Sequence, residues 1–190
     1  NLARIHFVLR VPDIDGVRYS LIDLESRMVE EINPWADRFL EALKVRHPEK
    51  QAIQLYELHS NCFSAAYKET YRGATAVLDT QYIEQVAASG QLALTLSDST
   101  DEPGAEFSFK IFSYRYQLSL SDVVPVLENF GLNIINEKTF ELNIGGEQAV
   151  WLHEFSLYQK SAVSRIHGNF KANFEEAFLA IWQRDTDDDS

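Results

Sequence analysis

The stretch FSFKIFSYRYQLSLSDVVPVLENFGLNIINEKTFELNIGGEQAVWLHEFSLY, residues 107–158 of a 190-residue chain, decides the fold. Phe107, Phe109 and Ile111 alternate with Ser108, Lys110 and Phe112, the period-two pattern of a strand that runs to about Gln117. Ser119 or Ser121 then caps a helix with Val123, Val124, Leu127 and Phe130 facing inward, and Gly131 ends it. Residues 132–142 read as a strand, Gly145 and Gly146 as a hairpin turn, and 149–158 as the returning strand. A last helix over about 162–183 sets Phe170, Phe174, Phe178 and Ile181 on one face. From residue 105 the order is strand, helix, strand, strand, helix. That is most of a ferredoxin-like unit, an antiparallel sheet with helices on one face, and the expected class is α+β.

Upstream the pattern is helix-rich. Residues 4–11 (RIHFVLRV) alternate as a strand. A helix over about 21–46 carries Leu21, Leu24, Met28, Trp35, Phe39 and Leu43, with Pro34 as a kink. A second helix over about 49–68 carries Ala52, Tyr56, His59, Phe63 and Tyr67. Residues 72–78 read as irregular. Asp79 or Thr80 caps a short helix with Tyr82, Ile83 and Val86, stopped by Gly90. Leu92, Leu94 and Leu96 then alternate as a strand. Residues 98–104 (DSTDEPG) form the clearest turn or linker. The expected organisation is a helix-rich α+β domain over 1–104, a second α+β domain over 105–183, and an acidic linker over 184–190. The first residue, Asn1, and the acidic run at 185–189 read as cuts through a longer chain.

Composition excludes whole classes of function. Apolar residues make up 45% and charged residues 24%, so a disordered tail or a fibrous rod is ruled out. Seventeen lysines and arginines face 29 acids, a net charge of −12. A duplex-binding surface needs the opposite sign, so no nucleic acid is expected as a partner. No apolar run approaches the ~20 residues of a membrane helix, so no membrane partner is expected either. The single cysteine, Cys62, allows no internal disulfide and fits a reducing cytoplasm.

The residues that carry chemistry are sparse. The eight glycines form neither GxGxxG nor a phosphate loop. No two histidines stand three or four apart on a helix, so no HExxH-type metal site is expected. His153 and Glu154 are strand neighbours and point to opposite faces. His59 stands one turn before Cys62, the one hint of an activated thiol, although a small core residue beside a capping histidine explains the pair. Adjacent acids such as Glu30 and Glu31 diverge by about 100° on a helix and read as solvated faces. Ser119, Ser121 and Asp122 are the candidate ligand-binding residues. Hydroxyls at a helix N-terminus can hold a carboxylate or phosphate, and helix capping explains the same residues. No catalytic, cofactor-binding or metal-binding residue is expected.

Several stretches resemble the N-terminal part of the large bacterial NAD-specific glutamate dehydrogenases. They are RIHFVLRVPDIDGV (4–17), DLESRMVEEINPWADRFLEAL (23–43), FSAAYKETY (63–71), LSLSDVVPVLENFGLNIINEKTFEL (118–142), VWLHEFSL (150–157) and NFEEAFLAIWQRDTDDDS (173–190). LSDVVPVLENFG and FEEAFLAIW are the most specific. In that family such pieces form ACT-type regulatory domains. The resemblance implies a non-catalytic regulatory or assembly region of a cytoplasmic, homo-oligomeric enzyme of amino-acid catabolism. The whole enzyme would convert L-glutamate and NAD to 2-oxoglutarate, ammonia and NADH, with NAD bound outside this chain. Partners would be other domains of the same chain, further copies and, in the alternative reading, a small amino-acid effector sensed at Ser119, Ser121 and Asp122. The loop at 116–121 lacks the glycine that ligand-binding ACT domains often carry there. Side-by-side sheet pairing, the usual ACT assembly mode, would use an exposed edge at 107–117.

Overall fold

The computed structural model of the chain describes residues 35–99, 102–146, 148–159 and 170–188. The strand expected over 4–11 and the first part of the helix expected over 21–46 lie outside them. Helix α1 (Trp35–Arg46) buries Phe39 and Leu43, one turn apart. Helix α2 (Glu49–His59) follows Pro48. The sequence pattern joins α2 to the next helix, but the chain breaks between them. Cys62 and Phe63 turn into the core, and the Ser64 hydroxyl accepts the Tyr67 N–H to cap α3 (Ala65–Thr70).

Helix α4 (Gly73–Ser89) begins where an irregular segment is expected. It buries Gly73, Ala76, Val77, Asp79, Thr80, Ile83 and Val86, so small and polar residues occupy its inner faces and hide the 3.6-residue period. Gly73 sits at the crossing with α1. A Cβ there would stand 2.5 Å from the Phe39 backbone nitrogen. Gly90 ends α4 in the left-handed conformation, φ 68°.

Four strands follow: β1 (Ala93–Asp98), β2 (Phe107–Tyr114), β3 (Leu132–Gly145) and β4 (Gln148–Gln159). Helix α5 (Leu120–Asn129) joins β2 to β3, and α6 (Phe170–Asp188) comes last. The sheet is antiparallel throughout, in the order β1-β2-β4-β3. Both β2 and β3 pair with β4, so they run parallel to each other with α5 as their crossover, the split β-α-β of a ferredoxin-like unit. In such a unit the outer place beside the first strand is taken by a strand that follows the second helix. Here β1, which precedes the unit, takes that place.

This placement corrects three expectations. The turn at 98–104 joins two paired strands of one sheet, so the boundary expected at 104 falls inside that sheet. Strand β2 lies in the sheet interior with β1 on one side and β4 on the other, so the edge expected at 107–117 is not exposed. The segment expected as a linker from 184 continues α6 to Asp188.

Helices cover both sheet faces. On one face Phe109, Ile111, Phe155 and Leu157 pack with Val123 and Leu127 of α5 and with Phe174 and Phe178 of α6. The α5 and α6 side is the helical face expected from the pattern. On the other face Phe112, Phe140, Val150 and Leu152 pack with Phe39, Leu43, Tyr67 and Ile83 of the preceding helices. That second layer converts a sheet face that reads as polar and solvated into an interior one.

Candidate functional site

The sequence-derived candidates meet different fates. Ser119 stands at the N-cap of α5 but makes no side-chain cap bond. Its Oγ lies 2.6 Å from Ser121 Oγ, and Ser121 Oγ donates to Asp122 Oδ1 at 3.2 Å. All three residues are exposed. Just before them, Arg115 holds φ 68°, the left-handed backbone a glycine takes most readily, with its guanidinium 4.8 Å over the Tyr114 ring.

His59 and Cys62 do meet. Cys62 Sγ lies 3.8 Å from His59 Nδ1, and His59 Nε2 is 2.9 Å from Glu84 Oε1. The order carboxylate, imidazole, thiol is that of an activated nucleophile. The environment opposes it. Cys62 and His59 are both buried, and desolvation pushes the thiol up to about 11, against a weak downward pull from Lys68. This is a resting core thiol.

His153 and Glu154 point to opposite faces as expected. His153 Nδ1 lies 3.0 Å from Glu137 Oε1 and 3.1 Å from Thr139 Oγ1, its cross-strand partner. Glu154 faces the other way, into a polar cluster with Tyr71, Ser108 and Lys138.

That cluster lines a cleft of about 240 Å³ between α4 and the sheet. Asp79, one of the residues expected to cap a helix, instead projects from the middle of α4 to the sheet. Both its oxygens accept from Lys110 Nζ, at 2.9 and 2.8 Å, and Oδ2 also accepts the Tyr67 hydroxyl at 2.6 Å. Lys110 Nζ sits 4.5 Å over the Tyr71 ring. The Tyr71 hydroxyl donates to Glu154 Oε2, and Ser108 Oγ donates to Glu154 Oε1 at 2.7 Å. Lys138 Nζ approaches Glu154 at 3.8 Å. Burial raises the Asp79 carboxyl above its ordinary range, with Lys110 as the main opposing influence, and burial also raises the Tyr67 hydroxyl, helped by Asp79.

Sheet register organises the floor of this cleft. One rung crosses all four strands as Thr95, Lys110, Glu154 and Lys138. The next crosses as Ser97, Ser108, Ser156 and Asn136. Side chains of one rung share a face, so eight polar groups stand under α4 where the other half of that face is apolar core. The charged members were missed because Lys110 and Glu154 fall on the polar side of strands read as half-solvated. Their legible signal is the cross-strand Lys–Glu pairing once β2 and β4 are neighbours.

The family profile described as "Glutamate dehydrogenase, helical motif 2" matches residues 42–86, and "Glutamate dehydrogenase, ACT3 domain" matches residues 91–168. The ACT match thus begins ahead of β1, in agreement with the pairing of β1 and β2. A NAD-specific glutamate dehydrogenase of Halomonas elongata is 33% identical over 189 residues, spanning 100% of this chain and 12% of the relative. The Pseudomonas aeruginosa enzyme of the same name is 23% identical over 189 residues, again 100% of this chain and 12% of the relative. The Mycobacterium tuberculosis enzyme is 23% identical over 197 residues, 95% of this chain and 12% of the relative. The chain therefore spans about 12% of the length of the curated relatives it matches. Among the described residues no helix is long and apolar enough to cross a membrane. Two neighbouring parts of one family are thus matched in chain order, with relatives aligned along the length of the chain, and the chain fits the helical motif 2 and ACT3 region of the large NAD-specific glutamate dehydrogenases.

Proposed function

We propose that the chain is a non-catalytic regulatory and assembly region of a large cytoplasmic enzyme that oxidises L-glutamate with NAD to 2-oxoglutarate and ammonia. NAD and the catalytic residues belong to other parts of the parent protein. The observation that carries the assembly reading is the asymmetry of the sheet edges. At one edge the Leu96 N–H of β1 donates to Glu175 Oε1 of α6 at 2.7 Å, which blunts that edge. At the other, the 14-residue β3 pairs among the described residues with β4 alone. It presents a row of backbone groups, with Ile135 exposed at its bulge. A second copy, or another domain of the parent, pairs there.

Light scattering on the purified chain tests this. A dimer that Ile135→Lys converts to monomer supports pairing through β3. A wild-type monomer at a concentration of ~100 µM, unchanged when the rest of the parent chain is present, sinks it. Production of NADH by the purified chain with glutamate and NAD would overturn the non-catalytic assignment.

A second reading is an amino-acid sensor at Ser119, Ser121 and Asp122. It is supported by a helix start whose N-cap side chain is not spent on capping. A thermal-shift series with the common amino acids at millimolar concentration, read against Ser119→Ala and Ser121→Ala, checks it. A flat series across that set counts against sensing.

A further inference from the structure

A separate groove of about 370 Å³ runs between α5 and strands β3 and β4. One wall is the α5 stripe Leu120, Val124 and Glu128, spaced four apart and so aligned along the helix. The other wall is built from two cross-strand pairs, Asn133 with Tyr158 and Glu137 with Phe155. The walls leave apolar surface in water, with Leu120 44% and Tyr158 39% exposed. The charge is one-sided. The lining holds the carboxylates of Glu128 and Glu137 and no basic group. Helix α5 has no basic residue, and Lys138, the single lysine of β3, turns to the opposite face toward Glu154. Two polar groups are short of partners. The Asn133 Nδ2 is buried with no acceptor among the described residues. Glu137 is held in place, but through one oxygen. Its Oε1 accepts the Thr139 hydroxyl and lies 3.0 Å from His153 Nδ1. His153 is 1% exposed and stacked on Phe155, so its ring cannot swing away. Glu137 Oε2 has no partner among the described residues.

From this we infer that the groove between α5 and β3 docks an extended peptide segment from another part of the parent protein, one that carries an arginine between apolar residues. The guanidinium meets the free oxygen of Glu137 and the carboxylate of Glu128 in charge-assisted hydrogen bonds. The flanking apolar side chains cover Leu120 and Tyr158. A backbone carbonyl beside the arginine accepts from Asn133 Nδ2. Each requirement removes a competing occupant. An acidic segment is repelled by both carboxylates. A bare amine brings no acceptor for Asn133. A wholly apolar segment would strip water from Glu137 and return no partner. Arginine suits the groove better than lysine, because its planar fork serves two carboxylates and lies flat on the Tyr158 ring. The net charge of −12 draws a basic segment in from a distance. The chain spans about 12% of the length of its curated relatives, and the remainder of such a parent is long enough to supply the segment. The origin of the occupant rests on the reading of the chain as one region of a larger enzyme. The groove itself needs neither strand pairing at β3 nor the hydroxyls of Ser119 and Ser121.

Amide chemical-shift titration of the 190-residue chain tests the proposal. The probe is the capped peptide acetyl-Leu-Arg-Leu-Arg-Leu-amide, compared with the same peptide carrying glutamine or glutamate in place of arginine and with free L-arginine. The expected result is saturable binding of the arginine peptide at millimolar concentration or below, with shifts centred on residues 133–137 and 155–158. The glutamine and glutamate peptides bind at least tenfold more weakly, and raising the salt concentration weakens the arginine peptide. Glu137→Gln keeps an oxygen for Thr139 and His153 and weakens the arginine peptide at least tenfold. Glu128 is exposed, so Glu128→Lys decides the matter should Glu137→Gln fail to fold, with the same loss expected. Silence for the arginine peptide overturns the proposal, as does equal binding of the glutamine peptide. Binding undiminished in a folded Glu137→Gln or in Glu128→Lys overturns it too. Free L-arginine bound as tightly as the peptide, or shifts confined to residues 119–122, overturns it in favour of a small-molecule site. None of these outcomes bears on the light-scattering test of β3, so the groove and the assembly reading stand or fall separately.

Discussion

Removing Lys110 from beneath α4 isolates the energetic logic of the cleft. In Lys110→Met the methionine fills much of the lysine's volume, but Asp79 loses both bonds at 2.8 and 2.9 Å and keeps only the Tyr67 hydroxyl. The Asp79 side chain is 3% exposed, so water cannot replace the ammonium without opening α4. Breaking one member of a buried pair costs about 3–5 kcal/mol, whereas replacing both by apolar groups is often near neutral. For a chain of this size that loss lowers the Tm by roughly 6–20 °C. The double variant Asp79→Leu, Lys110→Met should recover most of it. The pH dependence follows from the raised Asp79 carboxyl. A carboxyl raised on folding contributes its stability below the unfolded value, about 3.9, and loses it as pH climbs through the folded value. Taking away Lys110 removes the main influence that opposes the rise. The penalty of Lys110→Met is therefore larger at pH 8 than at pH 5. Urea unfolding followed by circular dichroism at both pH values measures all of this. A single-variant loss under about 1 kcal/mol, or a double variant no better than the single, would refute the argument that the pair is buried and mutually dependent.

Other perturbations probe separate joints. Cys62 has its thiol raised from 9.0 to about 11, so iodoacetamide should label it slowly in the folded chain at pH 8 and rapidly in urea; fast labelling of the native chain contradicts the core placement. The thiol's contribution to stability is complete below its ordinary value and fades as pH rises toward 11. Gly73→Ala should lower stability by about 1–3 kcal/mol although alanine is the better helix former, because the new Cβ would meet backbone atoms of Phe39 and Arg38 at 2.5–2.7 Å. A thermal melt showing no loss means α1 and α4 do not cross there. Ser64→Ala removes the cap of α3 and should cost about 0.5–2 kcal/mol in the same assay, with Ser64→Asp recovering most of the loss.

The strand–helix–strand–strand–helix order was legible because each element has a single sidedness. Phe107, Phe109 and Ile111 face α5 and α6, and the intervening residues do not. Periodicity reports which residues share a face, not what covers that face. Ser108, Lys110, Glu154 and Ser156 form a clean polar alternation, which on an open sheet means solvent. Helices α1 to α4 make that face interior, and nothing local to β2 or β4 says so. The same cause hides α4. A helix packed between α1 on one side and a polar floor on the other carries glycine, alanine, threonine and aspartate inward, and its hydrophobic period dissolves. The charged cleft was thus illegible for the reason that it exists: two layers, each ordinary alone, bury each other's polar sides and must then satisfy them across the joint. Asp79 with Lys110, and Tyr71 with Glu154, do so between helix layer and sheet. Those bonds fix the orientation of the helical motif on the ACT sheet more strictly than apolar contact would, since a slip of one helical turn would strand a buried carboxylate.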